Sequence, residues 1–211
     1  MAKRAAPEVN AGSMADIAFL LLIFFLVTTT IETDSGLNRK LPPMEEQTDP
    51  PIIKEKNIFQ LSVNRSNQLL LKTGGNEGLI EIKDLRNEAI AFLDNGGGQG
   101  EDACRSCQGA KNPKSSDNFQ KAIISLQNDR ATKYNVYLAV QNEIIAAYNS
   151  LRDREFKKKF GNLNMSFVEA SARYKDPRTP KSEKDKLKEK IEEIKLMIPQ
   201  KFSEAEPKKA N

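Results

Sequence analysis

The sequence predicts an α+β protein, with a single N-terminal transmembrane helix followed by a small extracytoplasmic domain whose helices pack on a small sheet. Three observations predict it. Residues 14–31 form an apolar run long enough to cross a bilayer, which takes about 17–25 residues. Beyond residue 56, runs with strand alternation are interleaved with runs of helical spacing, the order of a sheet covered by helices. The chain has 211 residues, 29% of them charged, so only one segment belongs in lipid and the remainder has the length for one domain with a real core.

The first element carries one anomaly. Asp16 lies near the start of the apolar run, and no other charged side chain occurs between Glu8 and Glu32. A carboxylate inside a membrane span costs about 2.5–3.5 kcal/mol on insertion scales, and such groups serve proton relays, ion paths or buried partner contacts. At helical spacing Asp16 shares a stripe with Leu20, Ile23, Val27 and Thr30, and the stripe runs back through Ser13, Gly12 and Val9. No cation or amide on this helix can pair with the acid, so its partner is water or another chain. Gly12 and Ser13 would allow close helix approach. The plainer alternative is a carboxyl at the bilayer interface, since a helix beginning near Val9 places Asp16 only about 10 Å along it.

Lys3 and Arg4 before the run place residues 1–13 in the cytoplasm and residues 32–211 outside; Glu32 and Asp34 after it bear little on orientation, and Arg39 and Lys40 pull mildly the other way from farther along the chain. A cleaved signal peptide is the competing reading. Asp16 interrupts the start of the apolar core, and Val27-Thr-Thr-Thr-Ile31 offers no small-x-small cleavage site.

Residues 32–56 read as a linker, because Pro42, Pro43, Pro50 and Pro51 deny a helix and favour extended backbone. The folded domain is expected over residues 57–204. Phe59, Leu61 and Val63 alternate with polar residues, the period of a half-buried strand. Asn64 to Asn67 is turn chemistry, and residues 68–72 read as the return strand, closed by Gly74 and Gly75. Ile82, Leu85, Ala89, Phe92 and Leu93 predict a helix over 82–93, stopped by Gly96, Gly97 and Gly98. A polar loop follows, extended over about 95–118. Residues 121–126 read as a third strand. Tyr134, Tyr137, Leu138, Gln141, Ile145, Tyr148 and Leu151 mark a long second helix ending near Gly161. Leu187, Ile191, Ile194 and Ile198 predict a further helix at about 180–198, with Thr179 as its cap and Pro180 its first residue. A closing strand around 198–203 would lie at an edge because of Pro199, and residues 205–211 read as a flexible tail.

Composition excludes several classes. The formal net charge of +4 is not gathered into a basic patch, so nucleic acid is not an expected partner. The chain has no histidine, which argues against a histidine-based triad or zinc site, leaves any proton chemistry to a carboxylate, and gives no reason to expect an enzyme, a metal or a cofactor. Cys104 and Cys107 have the spacing of a redox motif. Their loop context favours a structural disulfide, with a thiol–disulfide function, a half metal site or free thiols as the alternatives.

The residues resemble the ExbD/TolR family of biopolymer transport proteins. The resemblance rests on Met14-Ala-Asp16-Ile-Ala-Phe-Leu-Leu-Leu-Ile-Phe-Phe25, the proline-bearing linker, the hairpin of residues 58–71, and Ile123-Ile-Ser-Leu-Gln-Asn-Asp129-Arg-Ala-Thr-Lys-Tyr134. It covers roughly residues 8–155. Two features depart from the family pattern. Asn10-Ala-Gly-Ser-Met-Ala15 replaces the usual polar, proline-containing approach to the acid, and the loop 95–118 and the tail after Gly161 are longer than usual. The resemblance implies an ion-driven motor subunit in the inner membrane. Two copies of the span would sit within a ring of an ExbB/TolQ-like polytopic protein, in contact with membrane lipid, and the outer domain would act on a TonB- or TolA-like protein. Asp16 alone matches the proton-carrying acid. A TolR-like anchor that binds the cell wall is the alternative role.

Overall fold

The computed structural model describes residues 11–28 and 53–208. The N-terminal flank with Lys3 and Arg4, residues 29–52 with most of the expected linker, and residues 209–211 lie outside the described residues. The chain divides into two units, Met1–Asp49 and Pro50–Asn211.

In the first unit, helix α1 covers Ala11–Thr28, eighteen residues with no charged side chain except Asp16. Its large apolar side chains are exposed on all sides. Eighteen residues rise about 27 Å, short of a hydrocarbon core of about 30 Å. Among the described residues no helix is long and apolar enough to cross a membrane, and the last three residues of the expected span are not among them. The membrane span read over 14–31 is therefore not shown by α1.

The second unit is α+β. Strands β1 (Ile58–Val63), β2 (Leu69–Thr73), β3 (Asn76–Ile80), β4 (Ile123–Asp129) and β5 (Phe202–Lys208) form one mixed sheet in the order β3-β2-β1-β4-β5. The β1–β2 and β2–β3 pairs are antiparallel; β1–β4 and β4–β5 are parallel. Helix α2 (Ile82–Leu93) lies on the path from β3 to β4, and α3 (Tyr134–Phe160), α4 (Phe167–Lys175) and α5 (Lys181–Met197) lie between β4 and β5.

Phe59, Leu61 and Val63 project from β1, Leu69 and Leu71 from β2, and Ile124 and Leu126 from β4, all into one buried layer. Leu85, Ala89, Phe92 and Leu93 of α2 fill it from above, with Val140, Ile144, Ala147, Tyr148 and Leu151 of α3. Each large side chain so buried contributes about 1.5–3 kcal/mol. A second cluster forms farther along α3, where Phe156 meets Phe167 and Ala170 of α4 and Leu187, Ile191 and Ile194 of α5.

The structure corrects the sequence reading at five places. Gly74 and Gly75 end β2 as expected, but a strand absent from the sequence reading, β3, follows them. Both have positive φ (54° and 86°), the turn geometry of a two-residue hairpin, and they lead into β3. β3 is exposed for nearly its whole length, so Asn76-Glu-Gly-Leu-Ile80 shows no apolar alternation. The expected third strand at 121–126 begins later, at Ile123, because the Asn118 side chain accepts from the backbone N–H groups of Gln120 and Lys121 at 3.0 and 2.9 Å and holds a turn there. α4 was absent from the sequence reading, although Ser166 and Glu169 form a reciprocal capping box at its start. Thr179 does not cap α5: its hydroxyl donates to Arg173 O at 2.7 Å, and Pro180 is the cap residue. Residues 205–208, read as tail, belong to β5. An edge strand pairs on one side only, which accommodates Pro207.

Candidate functional site

Asp16 is the sixth residue of α1, about 7.5 Å along the helix axis from Ala11. It is exposed, and no described side chain forms an ion pair with it. Leu20, Ile23 and Val27 continue its face of the helix, all exposed. Farther along, the Thr28 hydroxyl donates back to Phe24 O at 2.7 Å, so this polar group is satisfied within the helix. A carboxyl so placed can take up and release a proton, bind a cation or accept a hydrogen bond from another chain. The ionised form strongly disfavours an apolar medium and the neutral form does so much less.

Cys104 and Cys107 lie in the second unit and are bonded to each other, with Cα atoms 5.4 Å apart. Among the described residues, no cluster of Cys, Asp and Glu could hold a metal ion. The loop that carries the disulfide is far more built than a polar loop requires. Asn95 is its hub: its side-chain amide donates to Asn112 O (2.9 Å) and Ser116 O (2.8 Å), and its Oδ1 accepts from Asn112 N (2.9 Å). Asp94 accepts two hydrogen bonds from Arg154 of α3, at 2.5 and 2.8 Å, and one from Gln108 N at 3.0 Å. These bonds raise the Arg154 guanidinium above its ordinary value, against the effect of its partial burial.

The same loop grips the point where the chain enters β1. Asn57 Nδ2 donates to Asp117 Oδ2 at 3.0 Å, and Asp117 N returns a bond to Asn57 Oδ1 at 2.8 Å. Lys56 Nζ lies 2.6 Å from the Asp117 carboxylate. Lys54 reaches Asp102 at 3.5 Å, and Lys121 pairs with the same carboxylate. Burial pushes the Asp117 carboxyl up, but the bonds from Lys56 and Asn57 outweigh it and hold the group below the usual carboxylate value. None of these partners is legible in the sequence, since Asn57 and Asp117 are sixty residues apart and nothing in either local pattern points to the other.

At the β5 edge of the sheet, Tyr137 and Gln141 of α3 donate to Glu204 of β5 at 2.8 and 2.7 Å, which ties the edge strand to the helix layer.

The family model described as "ExbD: Biopolymer transport protein ExbD/TolR" matches residues 2–152, more than two thirds of the chain. The chain belongs to the ExbD/TolR family. No curated protein matches it. The ExbD/TolR match includes α1, the sheet as far as β4 and most of α3, and stops before α4, α5 and β5. Membership gives the chain a general role in biopolymer transport, in a family of transport subunits and not of enzymes.

Proposed function

We propose that the chain is an ion-motive-force-driven motor subunit. It works with an ExbB/TolQ-like polytopic ring to energise a TonB-like protein for outer-membrane transport. The observation that carries this reading is Asp16: one carboxyl, exposed and without an ion-pair partner among the described residues, on an otherwise uncharged helix whose apolar side chains face outward on all sides. In this reading the apolar run of residues 14–31 crosses the inner membrane with the N-terminus in the cytoplasm and the second unit in the periplasm. Two copies of the helix sit within the ring. Protonation removes most of the cost of placing Asp16 among apolar groups, and deprotonation restores it until a polar group of the ring is presented. Each proton passage thus biases the helix between two positions.

Asp16→Asn tests the reading. Asn is nearly the same shape and cannot exchange a proton. The variant is expected to insert, accumulate and co-purify with its ring at wild-type levels while gradient-dependent uptake falls to background. Asp16→Glu is expected to retain little uptake, because a carboxyl displaced by about 1 Å in a tight ring is badly placed. A TolR-like cell-wall anchor would keep its function with Asn at this position, so wild-type function in the assembled Asn variant rejects the motor and leaves the anchor.

A further inference from the structure

The loop of residues 94–118 joins two features that neither α1 nor the family match accounts for: a disulfide with one reachable sulfur, and a grip on the residues that lead into β1. Cys107 is 7% exposed and packs in the main core, whereas Cys104 is only half-buried. Beside Cys104 is an open cavity of about 210 Å³, lined among others by Arg105, Asn118, Phe119, Gln120 and Met197. The backbone N–H of Cys107 donates to Cys104 Sγ at 3.1 Å. Thiol–disulfide exchange needs an accessible sulfur for attack and a thiolate stabilised by donors or cations nearby. Cys104 has the access for attack, and the N–H of Cys107, with Arg105 next to it in the chain, meets the thiolate that Cys104 becomes when the partner leaves.

The staple connects to the grip by a short path. Gly96 has φ +68° and lies so close to Cys107 that a Cβ there would come within 2.7 Å of the Cys107 Cβ. Directly after it, Gly97 N donates to Ser116 O at 2.9 Å and Gly98 N to Asp117 O at 3.1 Å. Asp117 is the residue that holds Lys56 and Asn57. On the other arm, Asp102 is two residues before Cys104 and pairs with Lys54 and Lys121.

We propose that Cys104–Cys107 is an exchangeable disulfide whose substrate is a dithiol protein, and that its reduction loosens the hold of residues 94–118 on residues 54–57. A partner thiolate attacks Cys104 Sγ. The S–S bond breaks, a mixed disulfide forms, and Cys107 leaves as a thiolate that takes a proton from water. The partner's second thiolate then attacks the partner sulfur of the mixed disulfide and releases Cys104 as a thiolate facing the Cys107 N–H. The partner ends as a disulfide and this chain as a dithiol, with two electrons transferred. The inference does not depend on the motor reading.

The test uses the full-length chain in detergent, with dithiothreitol as the dithiol. Below the unfolding temperature, both cysteines are expected to become alkylatable while cooperative unfolding is retained. Amide exchange at Gly97, Gly98 and Asp117 is expected to speed up about tenfold, the order set by loss of one net hydrogen bond, with Leu61 and Leu126 unchanged. A staple that yields only on global unfolding overturns the proposal, and so does reduction without faster exchange at those three amides. Single variants test the polarity. With glutathione disulfide as the probe, Cys107→Ser is expected to be modified at Cys104 in the folded protein, and Cys104→Ser to resist at Cys107 until denatured. The reverse order, or equal reactivity, rejects Cys104 as the exchanging sulfur.

Discussion

Arg152 shows how much one side chain can hold together. It is buried in α3, and among the described residues it pairs with no carboxylate. Its Nε and Nη2 donate instead to Ile198 O, at 3.1 and 2.8 Å, just past the end of α5. The guanidinium also lies 5.5 Å from the ring centre of Phe167 and 5.8 Å from that of Tyr148, so its charge is met by a carbonyl and two π-faces. Burial lowers its pKa from the ordinary arginine value. Arg152→Met should leave Ile198 O without its donors and cost about 1–3 kcal/mol in urea unfolding. Asp117 behaves differently because it titrates. Its folded value lies below the unfolded one, so the stability it lends is present above the unfolded pKa, about 3.9, and is lost as pH falls through the folded value. Asp117→Asn is expected to lower the urea midpoint at pH 7 and to weaken the acid-induced loss of stability below pH about 4, since the substituted residue has no proton to gain. A variant whose acid limb matches wild type would show that Asp117 does not set it. Asp16 stands out in the sequence as a candidate because a lone carboxyl in an apolar run is anomalous wherever the run goes. Asp117 and Arg152 do not, because their partners are set by tertiary packing and leave no local signature.

At the scale of elements, the sequence was most informative where one face is buried and least where none is. β1 and α2 have a clear apolar period and fall where that period places them; α3 falls where expected as an element, but Tyr134 is 71% exposed, and Val140, Ile144 and Ala147 are buried rather than Leu138 and Ile145. β3 has no buried face to report itself, and Leu79, 67% exposed, is its largest apolar side chain on the surface. α4 is short and was hidden in a stretch read as tail, yet its capping box was readable as Ser166-x-x-Glu169. α4 and α5 pack on the end of α3 around Ile191 and Ile194, which are 3% and 0% exposed. Ile194→Ala should therefore leave a cavity and cost about 2–5 kcal/mol. A loss under about 1 kcal/mol in chemical denaturation would mean that this cluster collapses to fill the void and is looser than its burial implies.

Across the folded unit, the two hydrophobic clusters are separate in side chains but share α3, whose 27 residues run unbroken from Tyr134 to Phe160. β5 then returns from the second cluster to pair with β4 in the first, with Ile124 opposite Phe202 and Leu126 opposite Glu204. The family match ends at residue 152, so the second cluster and the edge strand lie outside it, while the helix carrying them belongs mostly to the matched part. A segment spliced in this way, on one continuous helix and returning to the sheet, cannot unfold while the first cluster stays intact without also stripping β5 from β4. The expectation is one cooperative transition for the folded unit, produced without the first 49 residues, because no residue of α1 contributes to either cluster. Phe156→Ala in the second cluster and Leu126→Ala in the first should each lower the same calorimetric Tm, by about 2–4 °C per kcal/mol lost for a chain of this size. Two resolved transitions, with Phe156→Ala moving one and Leu126→Ala the other, would show that α3 does not couple the clusters.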